Sequence, residues 1–202
     1  MKTVFLLAVA AVGSIAAAPL WQTPGLIGEL KLDRERTASR WIWSNGRPRD
    51  NEVALFRFAF EADSPVSSGR LSFASDDIGH LYLNGTEIHP SKFAAAVKPG
   101  RNVMAVCVTN VYSMGGMIAF GDFTLKSGRT LGLRSCAAFK AWDAGKGAPE
   151  GWERTDFDDA AWAPAIELGD ARMRPFSKYR DYTKDFATAG IGRGQTPLSE
   201  NC

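Results

Sequence analysis

The chain has 202 residues, 45% of them hydrophobic and 23% charged, and its 24 Lys and Arg against 22 Asp and Glu leave a formal charge of +2. No Lys/Arg block or basic stripe occurs, which argues against nucleic acid or another polyanion as partner. The length suits one domain with a full core and leaves little room for two.

The first residues, "MKTVFLLAVAAVGSIAAAPL", place one Lys before an apolar stretch that closes on Ala16, Ala17 and Ala18. That is the layout of a secretory signal peptide, here residues 1–17. The stretch falls short of the ~20 residues that span a bilayer, and no basic stop-transfer cluster follows. Export of a secreted, extracellular chain without a membrane span is therefore expected. Residues 18–37 form an N-terminal extension.

From Trp41 to about Leu133 the pattern has period two, interrupted by turn residues. "RWIW" puts Trp41 and Trp43 on one strand face. "EVALFRFAFEA" sets Ala54, Phe56, Phe58 and Phe60 on one face and Val53, Leu55, Arg57 and Ala59 on the other, as in a strand between two layers. Arg57 among apolar neighbours is either a buried ion-pair partner or a ligand contact, since an unpaired buried guanidinium is too costly.

"GRLSFAS" and "HLYLNG" continue the alternation, with Asp76 and Asp77 between them. Ionised carboxylates make short, strong hydrogen bonds to sugar hydroxyls. They also suit Ca2+, which takes about six to eight oxygens, so Asn110, carbonyls or water would complete such a site. The competing reading is a bend in which Asp caps its own backbone. A catalytic pair for glycoside hydrolysis is disfavoured, because adjacent residues of an extended chain point opposite ways. His80 shares a face with Tyr82 and could line the same end. With no Gly-x-Ser-x-Gly elbow, no Cys-His signature and no zinc spacing, His80 and His89 read as satisfied or exposed imidazoles.

Asn84-Gly85 predicts a two-residue type I′ hairpin, and Asn84-Gly85-Thr86 is also an N-glycosylation sequon. "KPGRN" at 98–102 predicts a second turn. "NVMAVCVTNV" is a long strand that delivers Asn110 and Tyr112 to a Gly-rich loop, where Tyr112 is the ring best placed to stack on a sugar. "GMIAFGDFTL" and "RTLGLRS" follow as strands.

Cys107, Cys136 and Cys202 amount to one disulfide and one odd thiol in an oxidising compartment. Cys107 with Cys136 is the expected pair, two strand positions able to approach; the alternative is a small buried thiol at each. In "GWERTDFDDAAW", Trp152, Phe157 and Trp162 read as core anchors and Asp156 or Asp158 as the N-cap of a short helix. Residues 171–202 have no period and read as an irregular tail.

About six or seven strands without long helical periods between them predict an all-β antiparallel sandwich or jelly roll. In order, "RWIW", "LFRFAFEA", "ASDDIGHLYLNGTEI", "VKPGRNVMAVCVTNV", "GGMIAFGDFTLKSGRTLGL" and "GWERTDFDDAAWAPAIELG" resemble the galactose-binding-like β-sandwich modules at the N-termini of α-rhamnosidases and related secreted carbohydrate-active proteins. The resemblance covers residues 38–170. It implies a non-catalytic, lectin-like domain that binds a glycan or glycoconjugate at a loop end carrying Asp76, Asp77, His80, Asn110 and Tyr112, with Arg57 from the adjoining sheet. Two alternatives stand beside it. One is a small secreted enzyme using Asp76 or Asp77 as base and His80 or Tyr82 as acid. The other is a structural or interaction module without a ligand.

Overall fold

A computed structural model describes residues 39–171, 173 and 174. The signal peptide, the N-terminal extension, most of the C-terminal tail and Cys202 lie outside the described residues. The chain order begins β1 (Arg40–Trp43), β2 (Glu52–Ala62), β3 (Val66–Asp76), β4 (Ile78–Leu83) and β5 (Thr86–Glu87). A helical turn, α1 (Phe93–Ala96), leads to β6 (Gly100–Asn110), β7 (Gly116–Leu125) and β8 (Thr130–Arg134). Then follow β9 (Lys140–Asp143), β10 (Ala163–Pro164) and β11 (Ile166–Asp170).

These strands form two antiparallel sheets, as the alternation predicts. The first has the order β11-β1-β7-β3, with β8 on the same edge of β7 beyond β1; the second has the order β10-β9-β2-β6-β4-β5. Ser135 closes the junction of β1, β7 and β8. Its hydroxyl donates to Arg40 O at 2.6 Å and accepts from Ala119 N at 3.0 Å. Between the sheets lies one core that includes Trp43, Phe56, Phe73, Phe93, Val106, Met117, Phe123 and Phe139. The strands β6 and β7 read as nearly continuous apolar runs because both of their faces are buried.

Each sheet carries a second apolar layer on its outer face. On the first sheet Trp41, Ala74, Ile118 and Phe120 cluster with Ala171. Trp41 and Trp43 therefore do not share a face as the alternation implies. The pairing of β1 with β11 shifts register between Trp41 and Ile42, with Leu168 the extra residue on β11; Trp41 packs in the outer cluster while both Ile42 and Trp43 pack in the core.

On the second sheet Leu55, Val103, Ala105 and Cys107 are covered by Trp152 and Trp162. The expected Cys107–Cys136 bridge is corrected here, since Cys136 is a free thiol. Cys107 points out of the second sheet, away from the core, whereas Cys136 follows β8 in the first sheet. Two such Cβ vectors cannot meet within bonding distance.

The segment that covers this outer face contains no helix, contrary to the N-cap reading of Asp156 or Asp158; it runs through successive turns. Arg57 explains why. Its side chain is fully buried, with Nε donating to Asp159 Oδ2 at 2.8 Å. Nη1 donates to the carbonyls of Trp152 and of Arg154, and Nη2 to that of Phe157. Carbonyls that a helix would use in its own ladder are turned down onto the guanidinium instead. The Phe157 ring lies 5.1 Å from the Arg57 carbon, a cation–π contact that completes the cover.

At one end of the sandwich Asn84 and Gly85 have φ of 54° and 82°, the type I′ geometry that the sequence predicts. Asn102, fully buried, takes hydrogen bonds from Asn84 Nδ2 and Lys98 N and donates to Lys98 O and Gly100 O. The Asn84 amide of the sequon thus already links the hairpin to β6. The opposite end is fixed by Glu52, the first residue of β2, which stands directly across from Asn110. Its carboxylate accepts from Trp43 Nε1 at 2.9 Å, Asn45 Nδ2 at 2.6 Å and Arg49 N at 2.9 Å, and the Arg49 guanidinium lies 3.3 Å away. Burial pushes the Glu52 pKa up, but the hydrogen bonds from Trp43, Arg49 and Asn45 outweigh it and hold the carboxyl below its ordinary range.

Two predictions follow from these buried charges. Arg57→Leu should lower the free energy of unfolding by about 3 kcal/mol, the low end for a broken buried pair because Asp159 still reaches water. Urea unfolding read by tryptophan fluorescence measures it, and an unchanged midpoint would refute the clamp. A depressed folded pKa means that Glu52 contributes stability above its unfolded value, lost as pH falls through the folded one. Glu52→Gln should thus be less stable than the parent by about 1–2 kcal/mol near neutrality. The gap should close as the medium is acidified below the ordinary carboxylate range, where Glu52 takes up its proton. A pH-independent gap would show that the charge is not what holds the loop.

Candidate functional site

Antiparallel register brings four segments to the Glu52 end. Asp76 pairs with Gly116, Ile78 with Thr109, Glu52 with Asn110 and Ala54 with Asp143. The loops 44–51 and 111–115, the Asp76–Asp77 junction and the turn after β9 therefore form one surface. The chain crosses from the first sheet to the second at Asp76 and Asp77.

Asp77 caps a neighbouring loop rather than its own bend. Its N–H donates to Thr109 O at 3.1 Å, while Oδ2 accepts from Val111 N at 2.8 Å and Tyr112 N at 3.4 Å. From the other side Asp50 Oδ1 accepts from Ser113 N at 2.7 Å. Asn110, fully buried, donates from Nδ2 to Arg49 O at 2.8 Å and Ser113 O at 3.2 Å, and its buried Oδ1 has no hydrogen-bond partner among the described residues. Gly115 lets the loop return over this amide, since a Cβ there would lie 2.8 Å from the Asn110 Cβ. With its backbone N–H groups drawn inward, the loop turns Tyr112 outward to 67% exposure. A large apolar ring held this open by a pinned backbone is a ready stacking surface.

Asp77, Asn110 and Tyr112 are thus brought together, with Asp76 beside them as the last residue of β3. His80 and Arg57 are not. His80 lies down β4, opposite Cys107, and its Nδ1 is 2.8 Å from Glu87 Oε1. Arg57 sits mid-strand under the covering segment, so the ion-pair role is the one it fills. Tyr82 faces the same way and meets Trp152 edge-on at 5.6 Å; burial raises its pKa, with Glu87 and Glu153 adding to the effect.

Asp50 and Asp143 also border this end, and no motif in the sequence signals it. Nothing local in "SNGRPRDN" says that Asp50 faces residue 113. Between Arg49–Val53 and Asp143–Gly145 lies an open groove of about 630 Å³. Asp143 Oδ1 accepts from Gly145 N at 3.0 Å and so shapes the groove's edge.

A Ca2+ site at this end would have to draw on carbonyl and amide oxygens beside its carboxylates. Among the described residues no three His, Cys, Asp or Glu side chains converge. One oxygen of Asp77 already receives two backbone N–H groups. The arrangement instead offers fixed acceptors, buried amides and one exposed ring.

No protein-family model and no curated protein sequence matches this chain. Solved structures do. An α-L-rhamnosidase of Streptomyces avermitilis complexed with L-rhamnose superposes with a TM-score of 0.59 at 22% identity, over 70% of this chain and 15% of that one. The lectin of Pleurotus ostreatus in complex with GalNAc gives a TM-score of 0.57 at 23% identity, over 68% of this chain and 45% of that one. A family GH78 rhamnosidase of Bacillus sp. GL1 gives 0.57 at 25% identity, over 69% of this chain and 19% of that one. The chain thus matches less than half the length of each. It has the fold of the galactose-binding-like β-sandwich modules carried by these rhamnosidases and by the lectin.

Proposed function

We propose that this protein is a secreted, non-catalytic carbohydrate-binding module whose site is the loop end carrying Asp76, Asp77, Asn110 and Tyr112. The observation that carries the reading is the Tyr112 loop, pinned by Asp77 and Asp50 so that an exposed ring stands beside fixed carboxylate acceptors. A sugar ring presents C–H groups on its faces and hydroxyls at its rim, so it needs this combination of flat ring and acceptor. Neighbours of the same fold that are crystallised with L-rhamnose or GalNAc support a glycan as the partner class. In this reading residues 1–17 are the export leader, and the sequon at Asn84 stands at the end of the sandwich away from the site.

The enzyme alternative needs an acid across from Asp76 or Asp77, and both of its candidates are engaged elsewhere, His80 with Glu87 and Tyr82 with Trp152. Asp77 itself is held as a hydrogen-bond acceptor by two amide N–H groups, a positioning role.

Glycan-array screening followed by titration calorimetry tests the proposal. Tyr112→Ala should weaken the best glycan about tenfold, as loss of one stacking ring of ~1–1.5 kcal/mol implies, without moving the unfolding midpoint. Asp77→Asn should weaken binding as well. The absence of any bound glycan, or binding indifferent to Tyr112, would overturn the reading. The mass of the exported chain should show removal of the first 17 or so residues.

A further inference from the structure

We infer that the groove between Arg49–Val53 and Asp143–Gly145 is a second sugar subsite, so that the protein reads a neutral oligosaccharide of at least two units rather than a single terminal sugar. The inference rests on the carbohydrate reading above and extends it along the surface. At about 630 Å³ the groove falls in the ~300–1,000 Å³ range of small-molecule sites.

Its lining has two characters. Asp50, Asn51 and Asp143 supply polar groups, whereas Val53 and Ala144 belong to the apolar layer that includes Trp142. A pyranose fits such a cleft with its C–H face on the aliphatic side and its hydroxyls on the polar one. Both carboxylates are already oriented. Asp50 Oδ1 accepts from Ser113 N and Asp143 Oδ1 from Gly145 N, while among the described residues the Oδ2 of each carries no protein hydrogen bond. Two acceptors held by backbone amides lose little freedom when they meet a ligand, which favours binding.

Asp50 also connects the groove to the Tyr112 platform, because the oxygen that it gives to Ser113 ties the two loops into one wall. A ligand that stacks on Tyr112 and crosses this wall places its next unit in the groove. Charge then selects among ligands. Arg49 is paired with the buried Glu52 at 3.3 Å, so the Asp50 and Asp143 carboxylates set the sign of the groove and repel an acidic sugar.

Titration calorimetry with L-rhamnose, galactose and GalNAc, and with disaccharides joining each to glucose, tests this directly. For the sugar that binds, the disaccharide should bind about tenfold tighter than the monosaccharide, and glucuronic acid in place of glucose should remove that gain. Asp143→Asn keeps the acceptor for Gly145 N but converts the free carboxylate oxygen to an amide. It should shrink the disaccharide gain to about twofold. Equal affinities for mono- and disaccharide, with Tyr112-dependent binding intact, would overturn the inference and leave the proposed function standing. An undiminished gain in Asp143→Asn would also overturn it. If none of the glycans on the array binds, both fall together.

Discussion

The loop end depends on one cross-strand pair, Glu52 opposite Asn110, where β2 and β6 meet their loops. Each residue is buried, and each uses its side chain to fix backbone that no strand ladder can reach. Glu52 gathers Trp43, Asn45 and Arg49, so the 44–51 loop is folded around a carboxylate. Asn110 takes the carbonyls of Arg49 and Ser113, which ties that loop to the next one. Burying a charge in this way is tolerable only because its acceptor sites are filled. The ordering cost of the loops is therefore met within the fold.

A second buried charge does comparable work on the far side of the same sheet. Arg57 draws the carbonyls of residues 152, 154 and 157 and the carboxylate of Asp159 onto an otherwise apolar face. That is how Trp152 and Trp162 come to lie over Leu55, Val103 and Ala105. The sandwich is consequently thicker than two sheets. Val53 and Ala144, which border the groove, pack against this same outer cluster, so the covered face of the sheet runs on to the loop end.

The two acids at 76 and 77 show how a fold changes the meaning of a motif. Side by side they look like a ligand pair, but the strand crossing gives Asp77 the amides of Val111 and Tyr112. Its role is to present Tyr112, and the carboxylates that border this end include Asp50 of the 44–51 loop and Asp143 at the end of β9. The surface at this end is thus a property of four segments in register and of no single one of them.

What the sequence determined by itself was local. Period-two alternation placed the long strands β2, β3, β4, β6, β7 and β8, because side chains of a strand alternate between faces whatever its partners are. Asn84-Gly85 specified its turn, since positive φ at both positions is a property of those residues. Tyr112 and Asn110 were legible as a ring and an amide at a strand end. The tertiary structure alone decided the rest. The short strands β9 and β11 exist only through distant partners. That Trp41 packs outside and Trp43 in the core is seen only in the packed sheets. The separation of Cys107 from Cys136 follows from which face of which sheet each occupies. Asp50 and Asp143 entered the site through contacts with residues 113 and 145 and with the groove between them. Such choices depend on which strands become neighbours, and that is settled by burial of the whole core rather than by any short run of residues.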